Sequence, residues 1–417
     1  MLKKYHDKLI IVAFIISIII PPLGYTIDRI GNQWFYLSLV LCFSSLLFFV
    51  KGNINLFKIY IDSSLPDKAI LWLLIFFVLI AFFSIVPANN KIESLVIISQ
   101  YITIFFSLFI LIIISKKTKN YYNFIFLTFY ILLIIETYSV VLPVITDVSQ
   151  GSYFMRSTSF KGLMSNINIT SFSLLYKIPI LFYFFDKSKN KLASFFHLFI
   201  FLCVLSSILI LGSRASYIAL GFMLFIRMGL LFFHKESIFK SKFKLIGYSF
   251  TILISIILNI AINSESNFID RTSEINFDAN NSSNNQRLNY YDISLQLIRD
   301  NPLLGIGVGN WKYESIPLNR FDMSGYIVPY YAHNDFLQIF SETGIFGFLS
   351  YVLIFILIAF IVLKNLKNIE YFYIGCFFIA YTIDSLLNFP IGRVASLIHF
   401  IFFISLIFSL NQKYNEK

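Results

Sequence analysis

The sequence predicts an all-α, polytopic integral membrane protein of about twelve transmembrane helices, and three observations carry that reading. The 417-residue chain is 58% hydrophobic and only 13% charged, where a soluble domain carries about 25% charged residues. Its 50 phenylalanines gather in runs such as LWLLIFFVLI and IFFSLFILIII, each close to the roughly 20 residues that cross a hydrocarbon core of about 30 Å. Its lysines, finally, fall on alternate loops, as the positive-inside rule requires of a chain that crosses a membrane many times.

Taken in order, the runs are 8–26, 34–50, 70–87, 95–115, 121–145, 170–185, 194–211, 215–233, 245–262, 335–363, 370–388 and 392–410. The first follows MLKKYHDK as a signal-peptide core would. No small-residue cleavage site follows it, so it reads as a retained helix. One long polar interruption, 263–334, separates the ninth run from the tenth. With no repeat at solenoid period and no Gly/Ser linker, residues 1–417 read as a single membrane domain with 263–334 as a large outer loop. Cys42, Cys203 and Cys376 all lie inside apolar runs, where a thiol behaves as a small hydrophobe, so neither a disulfide nor a metal site is expected.

The loops rich in lysine (Lys3, Lys4 and Lys8; Lys51, Lys58 and Lys68; Lys116, Lys117 and Lys119; Lys187, Lys189 and Lys191; Lys235, Lys240, Lys242 and Lys244; Lys364 and Lys367; Lys413 and Lys417) are read as cytoplasmic. Both termini then lie inside and the 263–334 loop faces outward. Arg29, Arg156, Arg214, Arg271, Arg287, Arg299, Arg320 and Arg393 fall on the outer side, and Arg227 alone lies near an inner helix end. Lysine suits orientation as a hydrated point charge; the planar arginine fork suits phosphate or carboxylate. The outer face therefore looks chemical. The net charge of +11 belongs mostly to the inner lysines facing anionic lipid, and implies no nucleic acid.

Four places on that outer face carry the chemistry. In LGSRASYIAL, Arg214 sits in a very short turn; it either snorkels to lipid phosphate or pairs with an external anion that Gly212 and Ser213 allow to approach. In NSSNNQRLNYYDISLQLIRDNPLLGIGVGNW, Leu288, Tyr291, Leu295 and Ile298 recur at helical spacing, which predicts a short amphipathic helix resting on the membrane. Arg287 is expected in its first turn, beside free N–H groups, as an anion site or as an ordinary surface arginine. The glycines of GIGVG only weakly resemble a phosphate cradle. In YAHNDFLQIFSETGIFGFLSY, His333 and Asn334 stand where the loop returns to the membrane, Asp335 reads as a helix-start acid, Glu342 as a hydrogen-bonded turn acid, and Thr343-Gly344 as a break before the span. Nearby cations would keep the His333 imidazole neutral and able to accept a proton. Asp384 and Arg393 flank NFPIG at another outer turn, with mutual pairing the simplest reading. Inside the runs, Glu136 and Lys177 lie at comparable depth, as an ion pair or as a proton relay. No HExxH motif, histidine cluster or local Ser or Cys nucleophile signature occurs, so no metal and no cofactor is expected.

These segments are familiar in combination. HNDFLQIFSETGIFG, SRAS, QRLNYYDISLQLIRDNPLLGIGVGNW and GLMSNINITS resemble, in the same order, the characteristic segments of the O-antigen ligase and O-antigen polymerase superfamily of bacterial membrane glycosyltransferases. The resemblance covers roughly 160–350 at the level of motifs. It implies a multi-pass protein of the bacterial inner membrane that moves a glycan from undecaprenyl diphosphate to a hydroxyl of a glycan or lipid A-core acceptor on the periplasmic face, by a metal-independent, inverting displacement. It implies that Arg214 and Arg287 hold the diphosphate, that His333 is the base toward the acceptor or orients it, and that Asn334, Glu342 and Asp384 contribute to substrate binding. Ligase and polymerase share this skeleton, and a transporter or flippase of a lipid-linked or anionic solute is the reading from another class.

Overall fold

The computed structural model describes residues 2–20, 29–51, 63–149, 161–233, 238–262, 272, 282–319 and 329–415. Arg156, Arg271, Arg320, Lys58, Lys235, Lys417 and most of the 263–281 stretch lie outside the described residues. Among those described, every regular element is helical. In chain order they are α1 (Leu2–Ile16), α2 (Arg29–Lys51), α3 (Leu65–Phe83), α4 (Lys91–Lys117), α5 (Tyr121–Ser149), α6 (Ile167–Lys187), α7 (Lys191–Leu211), α8 (Arg214–Phe233), α9 (Ile238–Ile262), α10 (Ser282–Asp300), α11 (Trp311–Asn319), α12 (Asp335–Lys364), α13 (Ile369–Leu387) and α14 (Val394–Asn415).

Among the described residues eleven helices are long and apolar enough to cross a membrane. They coincide with eleven of the expected runs, and the protein is an all-α polytopic membrane protein. The remaining run, 8–26, forms the 15-residue α1, which gives way to a turn after Ile16; the Pro21-Pro22 pair beyond it in the sequence cannot continue a helix. Phe43, Phe83, Phe225 and Ile246 remain exposed along these helices, the inverse of a water-facing surface and what lipid as solvent permits.

Helix starts are set by side chains that take up orphan N–H groups. Ser64 Oγ accepts Asp67 N, Asn90 Oδ1 accepts Glu93 N, Asn190 Oδ1 accepts Leu192 N and Asn334 Oδ1 accepts Leu337 N. The chain divides into two compact units: Met1–Ile125, Asp278–Tyr371 and Ser385–Lys417 form the first, and Phe126–Phe277 with Phe372–Asp384 the second. In the first, α12 packs on α3, α14 packs on α4, and α10 lies against α11 and α12; most of α14 is buried. In the second, α6 is the most buried helix, packed by α7 and α8, with α9 against α7.

The core of the second unit holds the Lys177 ammonium 2.9 Å from Glu136 Oε2, with both side chains fully buried. Lys177 also donates to the Ser173 carbonyl at 2.6 Å and to Ser173 Oγ at 2.9 Å, while Ser173 Oγ lies within 3.1 Å of both Glu136 oxygens. This closed cluster is the ion pair expected from their matching depth. Removing one partner of such a pair costs about 3–5 kcal/mol, because the other stays buried and uncompensated. Glu136→Ala should therefore sharply lower the thermal midpoint in detergent, and Glu136→Leu combined with Lys177→Met should recover most of it; a stable Glu136→Ala protein would contradict the structural role.

Candidate functional site

Within the 263–334 interruption, described residues from α10 onward form a small core of their own. Ile293 and Leu297 of α10 pack with Ile306, Trp311 and Ala332, and Tyr290 lies against them. Trp311 is fully buried, and its Nε1–H donates to Ser294 Oγ at 2.9 Å. The buried stripe of α10 is thus Tyr290, Ile293, Ser294 and Leu297, whereas Leu288 and Leu295 of the predicted stripe stay exposed. The two stripes are adjacent on one helix; the sequence showed an apolar face but not which one the protein covers.

The loop is clasped to a break in α12. Gly344 departs from helical geometry at φ 66°, and a Cβ there would meet the Leu303 carbonyl oxygen at 2.1 Å. Across the break, Ile306 N donates to Ser341 O at 2.9 Å, Gly307 N to Glu342 O at 3.0 Å and Ile345 N to Pro302 O at 2.9 Å. Glu342 is buried, and its Oε1 accepts Trp311 N and Gln338 Nε2. The carboxylate ties the loop to the helix, as expected of a turn acid. Gly305 of GIGVG serves the same clasp, with φ 70° and a place where a Cβ would meet the Glu342 backbone at 2.4 Å, while Gly307 and Gly309 lie against Ala88 and Ile97.

His333 stands immediately before this locked segment. Ala332 N donates to Gln338 Oε1, and Tyr291 Oη donates to the His333 carbonyl at 3.3 Å. His333 itself takes φ 56°, the left-handed region that costs an L-residue about 1–2 kcal/mol. Its ring is stacked toward Tyr290 at 6.1 Å and meets the Phe389 ring edge-on at 5.1 Å, while Nδ1 is buried with no hydrogen-bond partner. Burial first, and then the positive charges of Arg287 and Arg393, push the imidazole down to about 4. The ring is therefore neutral at ordinary pH, as the sequence suggested, although burial outweighs the cations as the cause. The other described histidines each engage a ring nitrogen: His6 with Asp7, His197 with Tyr130 Oη, and His399 with the Ala395 carbonyl.

Arg287 shares this unit with His333 and acts on it electrostatically. Its expected place in the first turn of the helix is corrected: α10 begins at Ser282, because the Ser/Asn-rich stretch is itself helical, and Arg287 lies in the second turn beyond the free N–H groups. That feature belongs instead to Arg214, the first residue of α8 in the second unit, after α7 ends on Gly212 at φ 64°. Asp384, also in the second unit and fully buried, accepts a short hydrogen bond from Tyr176 Oη. Arg393, in the first unit, lies with its guanidinium carbon 3.8 Å from the centre of the Phe389 ring; each of the two finds its partner within its own unit. Asn334 caps α12. Beside His333, Tyr331 stacks on Phe389 at 4.1 Å and borders a cavity of about 50 Å³ walled also by Glu93, Ile97, Gln100, Tyr101, Lys312 and Gln338.

Residues 199–352 match the O-antigen ligase family. The O-antigen ligase segment begins within α7 and ends within α12, so it takes in Arg214, Arg287, His333, Asn334 and Glu342 and leaves Asp384 and Arg393 outside. No match to a curated protein was found. Together with the eleven membrane-length helices among the described residues, the match makes this part of the chain similar to membrane enzymes of the O-antigen ligase family.

Asparagine tolerates positive φ better than histidine does and lacks the imidazole. His333→Asn should thus unfold within about 1 kcal/mol of the parent protein. A loss of stability above about 2 kcal/mol in thermal unfolding would make His333 a packing residue instead.

Proposed function

We propose that this protein transfers a glycan from undecaprenyl diphosphate to an acceptor hydroxyl at the periplasmic face of the bacterial inner membrane, as an O-antigen ligase. The observation that carries the proposal is a neutral imidazole held in strained backbone, with guanidinium charge acting on it from two chain segments. A lipid diphosphate is a leaving group that gains negative charge as the sugar C1–O bond breaks, and fixed guanidinium groups in a poorly hydrated site stabilise that charge where it develops.

The acceptor oxygen attacks C1 from the face opposite the diphosphate, so the anomeric configuration inverts. Its proton passes to His333, and the C1–O electron pair departs with the diphosphate. A base near 4 is weak by itself. The donor corrects this: its negative charge offsets that of Arg287 and Arg393, favours the imidazolium and raises the basicity of His333 once the site is filled. Arg287 takes the diphosphate, and the family resemblance gives Arg214 a share in the same task, where a helix N-terminus also favours an anion. The cavity beside Tyr331, with its amides, carboxylates and tyrosines, suits the hydroxyls of a sugar acceptor. This mechanism asks no metal to neutralise the diphosphate.

Deleting the gene and displaying surface polysaccharide on gels tests the reading. Ligation predicts core without long chains while lipid-linked polymer accumulates; core bearing a single repeat would indicate polymerisation, and unchanged glycans would remove both. In a transfer assay Arg287→Lys should lose at least about tenfold despite its retained charge, because a planar fork is lost. Full activity of Arg287→Lys would contradict bidentate binding.

A further inference from the structure

Arg393 follows the Pro390–Gly392 turn that leads into α14, outside the O-antigen ligase segment. The backbone there is pinned on several sides. Ile391 N donates to Asp335 Oδ2 at 3.1 Å, Arg393 N donates to the Pro390 carbonyl at 3.1 Å, and a Cβ on Gly392 would meet the Tyr331 ring at 2.8 Å. The arginine is therefore held in place rather than free to seek water. The residue is 2% exposed, and neither Nε nor Nη1 has a hydrogen-bond partner. Among the described residues no carboxylate lies within ion-pair distance of it: the Asp335 oxygen that faces this turn accepts Ile391 N and Tyr351 Oη.

A buried guanidinium with unsatisfied donors is costly unless something answers its charge. The Phe389 ring at 3.8 Å offsets part of that cost. Snorkelling to lipid would leave the tip exposed, which it is not. The side chains packed beside it are uncharged rings, Phe389 in contact and Tyr331 and His333 each against that ring, while the Asp335 carboxylate lies at the backbone of the same turn, beyond ion-pair distance. Arg393 and Arg287 both act electrostatically on His333, so all three share one neighbourhood.

We propose that Arg393 is a further donor-binding residue, whose free N–H groups take a phosphate oxygen of the lipid diphosphate beside His333. This rests on the reading of the site as a glycan transferase. It adds a residue from the last turn before α14 to Arg287 and His333 of the same unit.

The test is thermal unfolding of the purified full-length protein in detergent, titrated with inorganic pyrophosphate or, separately, with phosphatidylglycerol. The parent protein should be stabilised by pyrophosphate. Arg393→Gln without ligand should unfold at or above the parent midpoint, because an unanswered buried charge is gone. Its apparent affinity for pyrophosphate should fall at least about tenfold, with a matching rise in donor KM. Undiminished pyrophosphate affinity in Arg393→Gln would overturn the inference while leaving the transferase reading in place. A lower midpoint in the empty Arg393→Gln protein, recovered by Arg393→Lys, would make the residue a structural cation and overturn it too. An Arg393-dependent response to phosphatidylglycerol instead of pyrophosphate would assign the residue to lipid headgroups. Failure of the parent protein to respond to pyrophosphate would remove the inference, and the polysaccharide gels would show separately whether the transferase reading survives.

Discussion

The geometry of the candidate site depends on the clasp between the 302–309 loop and the break in α12. A membrane-spanning helix that bends at its end must find partners for the backbone groups it frees, since lipid offers none. Here they pair with the loop: Ile306 N and Gly307 N satisfy the Ser341 and Glu342 carbonyls, and Ile345 N reaches Pro302. Positive-φ glycines on both sides bring the two backbones close enough for this, and at Gly344 a methyl group would collide with Leu303. The buried Glu342 carboxylate joins Trp311 and Gln338 at the centre. Because Gln338 also holds Ala332, the clasp fixes the residue before His333, and the small core under Trp311 fixes the ring's surroundings.

Electrostatics follow from that arrangement. A histidine at the mouth of a membrane site is ordinarily free to charge, but this one is half-buried between Tyr290 and Phe389 with arginines acting on it. Burial does most to keep the ring neutral and the cations add to it; on the proposed reading a diphosphate would offset those cations, so that donor binding and basicity of the imidazole are linked. That coupling requires no conformational change; it requires only that the arginines be fixed, and at Arg393 the turn, the Phe389 contact and the Gly392 packing do so.

Much of the fold was legible because a bilayer imposes a length rule: eleven apolar runs became eleven helices, and the Thr343-Gly344 break appeared where glycine interrupted an apolar pattern. The run at 8–26 was longer in the sequence than α1, since apolar residues persist past the point where helical hydrogen bonding ends. Arg287 was placed one turn too early because polar SSNN looks like a cap but is helix. The histidine and its neutrality were readable from residue type and side. Arg393 was not: its proximity in sequence to Asp384 suggested a pair, and only the fold shows it lying over Phe389 with its donors free. The closure of GIGVG on α12 was equally hidden, since glycines that cradle a phosphate and glycines that admit a neighbouring backbone have the same spacing.

The central claim is that His333 is neutral when the site is empty and gains proton affinity when an anion fills it. Nitrogen NMR of histidine-labelled protein in detergent, with the His333 signal assigned by its loss in His333→Gln, measures this directly. The account predicts titration near 4, moving upward when pyrophosphate is added. Titration at the ordinary histidine value of about 6.5, unmoved by pyrophosphate, would contradict it.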